Sequence, residues 1–264
     1  MRPPRPATVR WLIVLAALVL WEALPRSGAI PMLLLPPLSL TLVALVQDID
    51  QYAAALLVTL GEVAIAMLIA CGAGILVGAL VGGVARLRNL LLPVFSSLYA
   101  VPIVILYPIV TAWLGIGSAS KIAFAGVYGF FPVMLSTAAG IRTIEAQLLL
   151  AARAMGATVP QQIARVIIPA SIPTVLAGLR LGGALTIIGV VVAEMLTASA
   201  GIGYLVTSYR TVLDSPHVFA GVLMILLLSV MFDVAARAIE RRTAGWRFAG
   251  QRAGAQPTAA PAPV

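Results

Sequence analysis

Apolar segments of membrane length recur along the whole chain, and they constrain its fold more than any single residue does. Runs at 57–84, 90–114, 122–141, 175–198 and 218–238 are each long enough to cross a bilayer, which takes about 20 apolar residues as a helix. A shorter run at 11–24 carries Trp11 and Trp21 near its ends, where interfacial aromatic side chains anchor a span. Backbone N–H and C=O groups find no water inside lipid, so each run must satisfy its own polar groups as an α-helix. With 61% of residues hydrophobic and 10% charged, the composition is that of an integral membrane protein. The expectation is an all-α polytopic chain of six transmembrane helices.

The connectors between these runs read as follows. Residues 1–10 form a basic tail with Arg2, Arg5 and Arg10. A charged start before a short apolar core is also the opening of a secretory signal peptide, but Glu22-Ala-Leu-Pro25-Arg26 is a poor cleavage site. Residues 25–56 read as an external connector with an interfacial helix at 38–46 and a solvated end at Asp48 and Asp50. Residues 115–121 read as a tight external turn, 199–216 as a Gly- and Ser-rich external loop, and 248–264 as a disordered Ala/Pro tail.

Charge placement orients this topology. Six spans put both termini, the 86–88 turn and the 142–173 loop on one side. All but three of the 17 Lys and Arg residues then lie on that side, the exceptions being Arg26, Lys121 and Arg210. Cytoplasmic connectors are the ones enriched in Lys and Arg, so both termini are expected in the cytoplasm of a cell (inner) membrane. The net charge of +8 is accounted for by this bias and implies no nucleic-acid partner. A seven-span arrangement with 32–46 crossing would destroy the asymmetry.

Several intramembrane residues stand out. Gly74, Gly78 and Gly82 form a small-residue stripe that lets helices approach closely, either between subunits or inside one bundle. Pro93, Pro102 and Pro108 break the 90–114 run. Carbonyls freed by proline are tolerated against neighbours or a cavity, so Pro102 and Pro108 mark either a pathway-lining helix or a kinked packing helix. Glu22 pairs with Arg26, and Asp233 with Arg237, at helical spacing. Glu62 and Glu194 have no such partner. An acid inside a span is costly and usually functional, so Glu194 either lines the route or locks two helices. One acid is too little for a proton relay, which favours the lock.

Other chemistries lack their residues. Lys121, the only lysine, follows Ser120 and not a glycine, so no phosphate-binding loop exists. His217 and Cys71 are each the sole residue of their kind, which makes no metal set and no intramolecular disulfide. His217 beside Pro216 at a loop edge does not suit an intramembrane Ser–His protease. These residues supply no enzyme chemistry, and if the protein works against a gradient the energy must come from a partner that binds ATP. A gradient-driven secondary transporter or channel is the alternative. Against it stand the absence of an inverted repeat and of a pair of intramembrane ion ligands.

The longest polar interruption, 142–173, carries a distinct pattern: Leu150-Ala151-Ala152-Arg153-Ala154-Met155-Gly156, nine residues, then Val166-Ile167-Ile168-Pro169. Two short helices joined at a glycine are expected. Glu145 favours the positive end of the first, and Gly156 suits the left-handed residue that ends it. Thr158 and Gln161 match a capping box, with Pro160 in the first turn, where a missing N–H costs little. Pro169 and Pro173 are expected to stop the second helix. Leu148, Ala151, Ala152 and Met155 share one face of the first.

This loop resembles the "EAA" loop of ABC importer permeases, whose pattern is Glu-Ala-Ala, three residues, Gly, nine residues, Ile-x-Leu-Pro. Ala151, Ala152, Gly156 and Pro169 match it, and Leu150 stands where the family usually has Glu. Further stretches are similar to the nitrate, taurine, aliphatic sulfonate and pyrimidine-precursor permeases of that family. They are Tyr99-Ala-Val-Pro102, Trp113-Leu-Gly-Ile-Gly117, Gly129-Phe-Phe-Pro132, Gly178-Leu-Arg180, and Ala193-Glu194-Met195-Leu196 through Gly201-Ile-Gly203-Tyr204-Leu205.

The resemblance implies a MetI-like permease fold over residues 11–247, with a coupling loop at 142–173 that docks on cytoplasmic ABC ATPase subunits. It implies Leu150, Ala151, Ala152, Arg153, Met155, Gly156 and Pro169 as the docking residues. It further implies a second permease copy, and a periplasmic or lipid-anchored binding protein that delivers the substrate. No cofactor is implied on this chain, since ATP belongs to the partner ATPase.

Overall fold

The computed structural model describes residues 6–197 and 199–254, with side chains at 8–197 and 199–242. Among the described residues every regular element is helical. In order these are α1 (Pro6–Arg26), α2 (Leu38–Gln47), α3 (Ile49–Gly83), α4 (Ala85–Ala100), a 3₁₀ turn (Ile103–Leu106), α5 (Tyr107–Leu114) and α6 (Ser118–Arg142). Then come α7 (Ala146–Ala154), α8 (Val159–Gln162), a π-helical turn (Ile163–Ile167), α9 (Ile168–Thr197), α10 (Ile202–Thr211) and α11 (Ser215–Gly254). Five helical stretches are long and apolar enough to cross a membrane, and six when the broken pair Ala85–Ala100 and Ile103–Leu114 counts as one.

The helices depart from the sequence reading where prolines and short polar stretches were given too much weight. The third run is not one helix. Val101 is extended (φ −72°, ψ 133°), as the residue before a proline prefers to be, so α4 ends at Ala100 and helix resumes at Ile103. The expected 115–121 turn is shortened because α6 begins at Ser118, and Ser120 and Lys121 are buried. The expected 199–216 loop contains α10, whose Ile202, Leu205 and Val206 bury one helical face. Pro169 and Pro173 do not stop a helix. The π turn places the Ile168 N–H on Ile163 O, the following Pro169 lies in the first turn of α9, and helix runs on from Val159 to Thr197. α3 starts at Ile49, well before residue 57, and α11 continues to Gly254, past the expected start of a disordered tail at 248. At about 1.5 Å per residue, the 35 residues of α3 reach about 52 Å, so its ends extend beyond a hydrocarbon layer of about 30 Å.

The chain divides into two compact units. The first takes the chain up to Ala66, Val104–Gly126 and Thr186–Val230. Its core joins Tyr52 and Ala55 of α3 to Ile202, Leu205 and Val206 of α10 and to Ala220 and Met224 of α11. Tyr107 and Phe124 meet edge to face at 5.0 Å. In the same unit Trp21 Nε1 donates to Pro36 O at 3.0 Å. Glu22, besides its pair with Arg26 at 2.6 Å, accepts from the Ser39 N–H at 2.9 Å, which holds α1 to the start of α2.

The second unit takes Met67–Ile103, Val127–Leu185 and the chain from Met231. Here glycines decide the packing. A Cβ on Gly78 would fall 2.5 Å from Met134 O, and one on Gly74 would fall 2.7 Å from Val133 Cβ. On α9, a Cβ on Gly178 would fall 2.4 Å from Ser136 Cβ, and one on Gly182 would fall 2.7 Å from Gly129 O. The stripe read at Gly74, Gly78 and Gly82 therefore packs inside one chain, with α6 receiving glycine faces from both α3 and α9. Arg180 of α9 pairs with Asp233 (3.1 Å) and Glu240 (3.3 Å) of α11, and Arg237 Nε donates to Asp233 at 2.7 Å.

Candidate functional site

The 142–173 loop folds as a capped, outward-facing helix. Glu145 occupies the N-cap position of α7, with extended backbone (φ −59°, ψ 125°), and its charge sits at the positive end of the helix dipole. At the other end Gly156 takes φ +75°. Its N–H donates to Arg153 O at 2.9 Å, and the Ala157 N–H donates to Ala152 O at 3.0 Å. These two bonds make a complete Schellman cap. The chain restarts at once: Gln161 Oε1 accepts from the Thr158 N–H at 2.9 Å, one arm of a capping box, with Pro160 in the first turn of α8. Gln162 Nε2 donates to Ala157 O at 2.8 Å and bridges the corner. The C-terminal end of α7 and the corner into α8 are thus fixed.

Its faces differ from the sequence reading in one respect. Leu148, Leu150, Ala151 and Met155 are exposed, with Met155 at 81% and Leu150 at 61%, whereas Ala152 is buried at 3%. Ala152 anchors the helix and does not belong to the outward face. Arg153 is exposed, and Pro169 lies in α9 beyond the π turn.

A second site lies in the first unit, around Glu194. This side chain is 1% exposed. Its Oε2 accepts from the Gly203 N–H at 2.8 Å, and its Oε1 accepts from the Thr59 hydroxyl at 2.8 Å. Thr59 Oγ1 in turn accepts from the Ile202 N–H at 3.0 Å. A carboxylate on α9 and a hydroxyl on α3 therefore satisfy the first N–H groups of α10, which a helix leaves unpaired and partly positive. Glycine is required here: Gly201 has φ +105°, and a Cβ on it would stand 2.0 Å from Glu194 Oε1. Nearby, Lys121 Nζ lies 2.5 Å from Glu62 Oε1, both side chains almost fully buried, and reaches Ala200 O at 3.4 Å. A charged pair this buried is tolerated because each member neutralises the other.

A cavity of about 230 Å³ opens beside Glu194, lined also by Thr197, Tyr204, Thr207, Ser208 and Thr211. Its polar wall is a carboxylate and hydroxyls, with no lysine or arginine. Tyr107 Oη and Thr197 Oγ1 lie 2.7 Å apart. Pro102 and Pro108 are both exposed.

A polar clasp closes the first unit at the start of α3. Tyr209 donates to Asp48 Oδ2 at 2.8 Å and stacks on His217 at 4.6 Å. His217 Nδ1 lies 2.8 Å from Asp214, and Nε2 lies 3.4 Å from Asp48. Burial, and then the bond to Asp48, push the Tyr209 hydroxyl up to about 12. Sequence reasoning left Glu194, Glu62 and His217 without partners, because Thr59, Lys121 and Asp48 are far away in the chain and the Asp214–His217 pair at i,i+3 was passed over. For Glu194 the local signal was Gly201-Ile-Gly203, two glycines where a carboxylate must approach a backbone.

Comparison with known proteins adds the family. The model of the "binding-protein-dependent transport system inner membrane component" family matches residues 70–245, which include the 142–173 loop and Glu194. The chain belongs to that family. Among curated relatives, it is 30% identical over 239 residues to the putative aliphatic sulfonates transport permease protein SsuC of Bacillus subtilis, covering 89% of this chain and 86% of that one. It is 29% identical to the formylaminopyrimidine transport permease protein ThiX of Halalkalibacterium halodurans, covering 89% and 94%. It is 31% identical to the taurine transport system permease protein TauC of Escherichia coli, covering 71% and 68%. Among solved structures, an inward-facing form of the MetNI methionine ABC transporter superposes with TM-score 0.67 at 18% identity, over 75% of this chain and 98% of that one. The chain is therefore an inner-membrane, multi-span ABC permease subunit with the MetI-like fold expected from its sequence.

Proposed function

We propose that this permease imports a small polar nutrient by alternating access, as one of two permease copies served by two cytoplasmic ABC ATPases and an external binding protein. α7 is the element that docks in the ATPase. The observation that carries this reading is a helix, closed by a Schellman cap at Gly156, that turns Leu148, Leu150, Ala151 and Met155 outward and is joined by a tight corner to α8, which runs on through the π turn into a membrane helix. A rigid connection of this kind turns an ATPase movement into a movement of spans, because each ligand shifts the equilibrium only by its differential affinity for the two states.

The charge asymmetry supports cytoplasmic termini, with α7 on the same side. The substrates named for the relatives, aliphatic sulfonates, taurine and formylaminopyrimidine, support a small polar organic solute. The hydroxyl-lined cavity beside Glu194 supports a route that offers hydrogen bonds without a fixed cation. Glu194 serves as a helix lock at its edge.

The test is a mild-detergent purification of the tagged chain with mass spectrometry of co-purifying proteins, followed by uptake in vesicles. A nucleotide-binding subunit should co-purify, and uptake should require ATP. Uptake driven by a proton gradient in the absence of ATP would overturn the reading.

A further inference from the structure

A cavity of about 470 Å³ in the second unit is lined by Arg88, Asn89, Leu92 and Pro93 of α4 and by Arg142 of α6. Arg88 lies in the first turns of α4 and Arg142 is the last residue of α6, so two cations far apart in the chain converge where two apolar helices end. No carboxylate lines the cavity. Among the described residues, Arg88 and Arg142 enter no ion pair with Asp or Glu, whereas Arg26, Arg180 and Arg237 each do. Arg88 Nη1 donates to Gly82 O at 3.2 Å, which positions the guanidinium and leaves its other donors available. Two guanidinium groups facing one space with no counter-charge repel each other, and a shared anion relieves that repulsion. Planar N–H forks are matched to the oxygens of a phosphate-type oxyanion. The cavity is not wholly polar, since Leu92 and Pro93 form part of its wall.

We propose that this cavity binds the phosphate headgroup of an anionic phospholipid, with Arg88 and Arg142 holding the phosphate, Asn89 donating beside it, and an acyl chain leaving past Leu92 and Pro93 of the wall. The lipid is favoured over free phosphate because the cations stand at the ends of apolar helices, where headgroups lie, and because the wall beside them is aliphatic at Leu92 and Pro93. A bound headgroup would tie α4 to the end of α6, directly before the 142–173 loop.

Native mass spectrometry of the full-length chain in a non-denaturing detergent tests this, with phosphatidylglycerol or phosphatidylcholine of matched acyl chains added. Phosphatidylglycerol should be retained in preference, and Arg88→Gln with Arg142→Gln should reduce that preference roughly thirtyfold, at about fivefold for each arginine near an anionic headgroup. Arg86→Gln, an exposed arginine on the same helix that does not line the cavity, should leave the preference unchanged. Arg88→Lys with Arg142→Lys should keep most of it, which separates loss of charge from misfolding. The proposal is overturned if the wild-type chain shows no preference, or if the double Gln variant retains it. Inorganic phosphate displacing the lipid as effectively as glycerophosphate-bearing lipid itself would overturn the lipid assignment in favour of a free-anion site. An ATPase subunit that co-purifies and abolishes lipid retention at this cavity would overturn it in favour of a protein carboxylate.

Discussion

Replacing Glu194 separates a helix lock from a charge used in transport. In Glu194→Ala the Gly203 N–H loses its acceptor, 2.8 Å away in the native chain, while the Thr59 hydroxyl falls back on Ala55 O at 3.1 Å. A buried donor left without a partner costs about 1–3 kcal/mol, and the lost carboxyl and methylene leave a void that adds to it. Relief of the buried charge offsets part of this, so the net loss is about 3 kcal/mol. Glu194→Gln behaves differently. The amide oxygen accepts from the Gly203 N–H, and the amide N–H donates to Thr59 Oγ1, whose own proton turns to Ala55 O at 3.1 Å. Every partner is satisfied, and the cost is about 1 kcal/mol. At about 2–4 °C per kcal/mol for chains of this size, Glu194→Ala should melt about 6–12 °C below wild type and Glu194→Gln within about 4 °C. Size-exclusion chromatography after graded heating of the solubilised protein reads both. A lock also predicts that Glu194→Gln keeps uptake. An alanine variant melting with wild type would refute the lock, and a stable glutamine variant without uptake would show that the charge takes part in transport.

Three further substitutions probe other contacts. Gly78→Val should prevent a monodisperse protein from being recovered, since its Cβ would lie 2.5 Å from Met134 O and overpacking costs about 1–3 kcal/mol even where side chains can give way. Gly83→Val, with nothing within 4 Å of its Cβ, should be recovered normally, and equal yields for the two would contradict the α3–α6 packing. Arg180→Gln should lower the melting temperature by less than about 6 °C, because its partners are half-exposed and such pairs contribute about 0.2–1 kcal/mol each. A much larger fall would mean that this network closes a core. Leu150→Glu should fold like wild type, since Leu150 is 61% exposed, and should still retain an ATPase in the pull-down, whereas loss of the ATPase would mean that the docking surface requires an apolar side chain here.

What the sequence revealed follows the range of the physics involved. Membrane spans, charge asymmetry and the Gly156 cap are local properties, and each was legible: the apolar run at 122–141 lies within α6 and that at 57–84 within α3 save for Val84, and Gly156 takes its positive φ. Proline was misread at Pro169 because its cost depends on the hydrogen-bond register before it, and a single π turn moved that register. α10 was hidden because its ten residues are too few and too mixed for a span and its C-terminal half, Thr207–Thr211, is largely polar, although Ile202, Leu205 and Val206 bury one face. The pairing of Glu62 with Lys121, and of Glu194 with Thr59, depends on helices distant in the chain, which spacing within one segment does not encode. Ala152 and Ala151 are neighbours on one helical face by periodicity, yet only Ala152 is buried, because tertiary packing chooses where the boundary of a face falls.

The central claim is that α7 meets the ATPase through its outward face. The most direct measurement is photo-crosslinking in intact cells, with a benzophenone amino acid at Leu150 and, separately, at Ala152. The account predicts that position 150 captures a nucleotide-binding subunit and that position 152, buried at 3%, does not. Capture of only a second copy of this chain, or of no protein at all from position 150 in cells that still take up substrate, would contradict it.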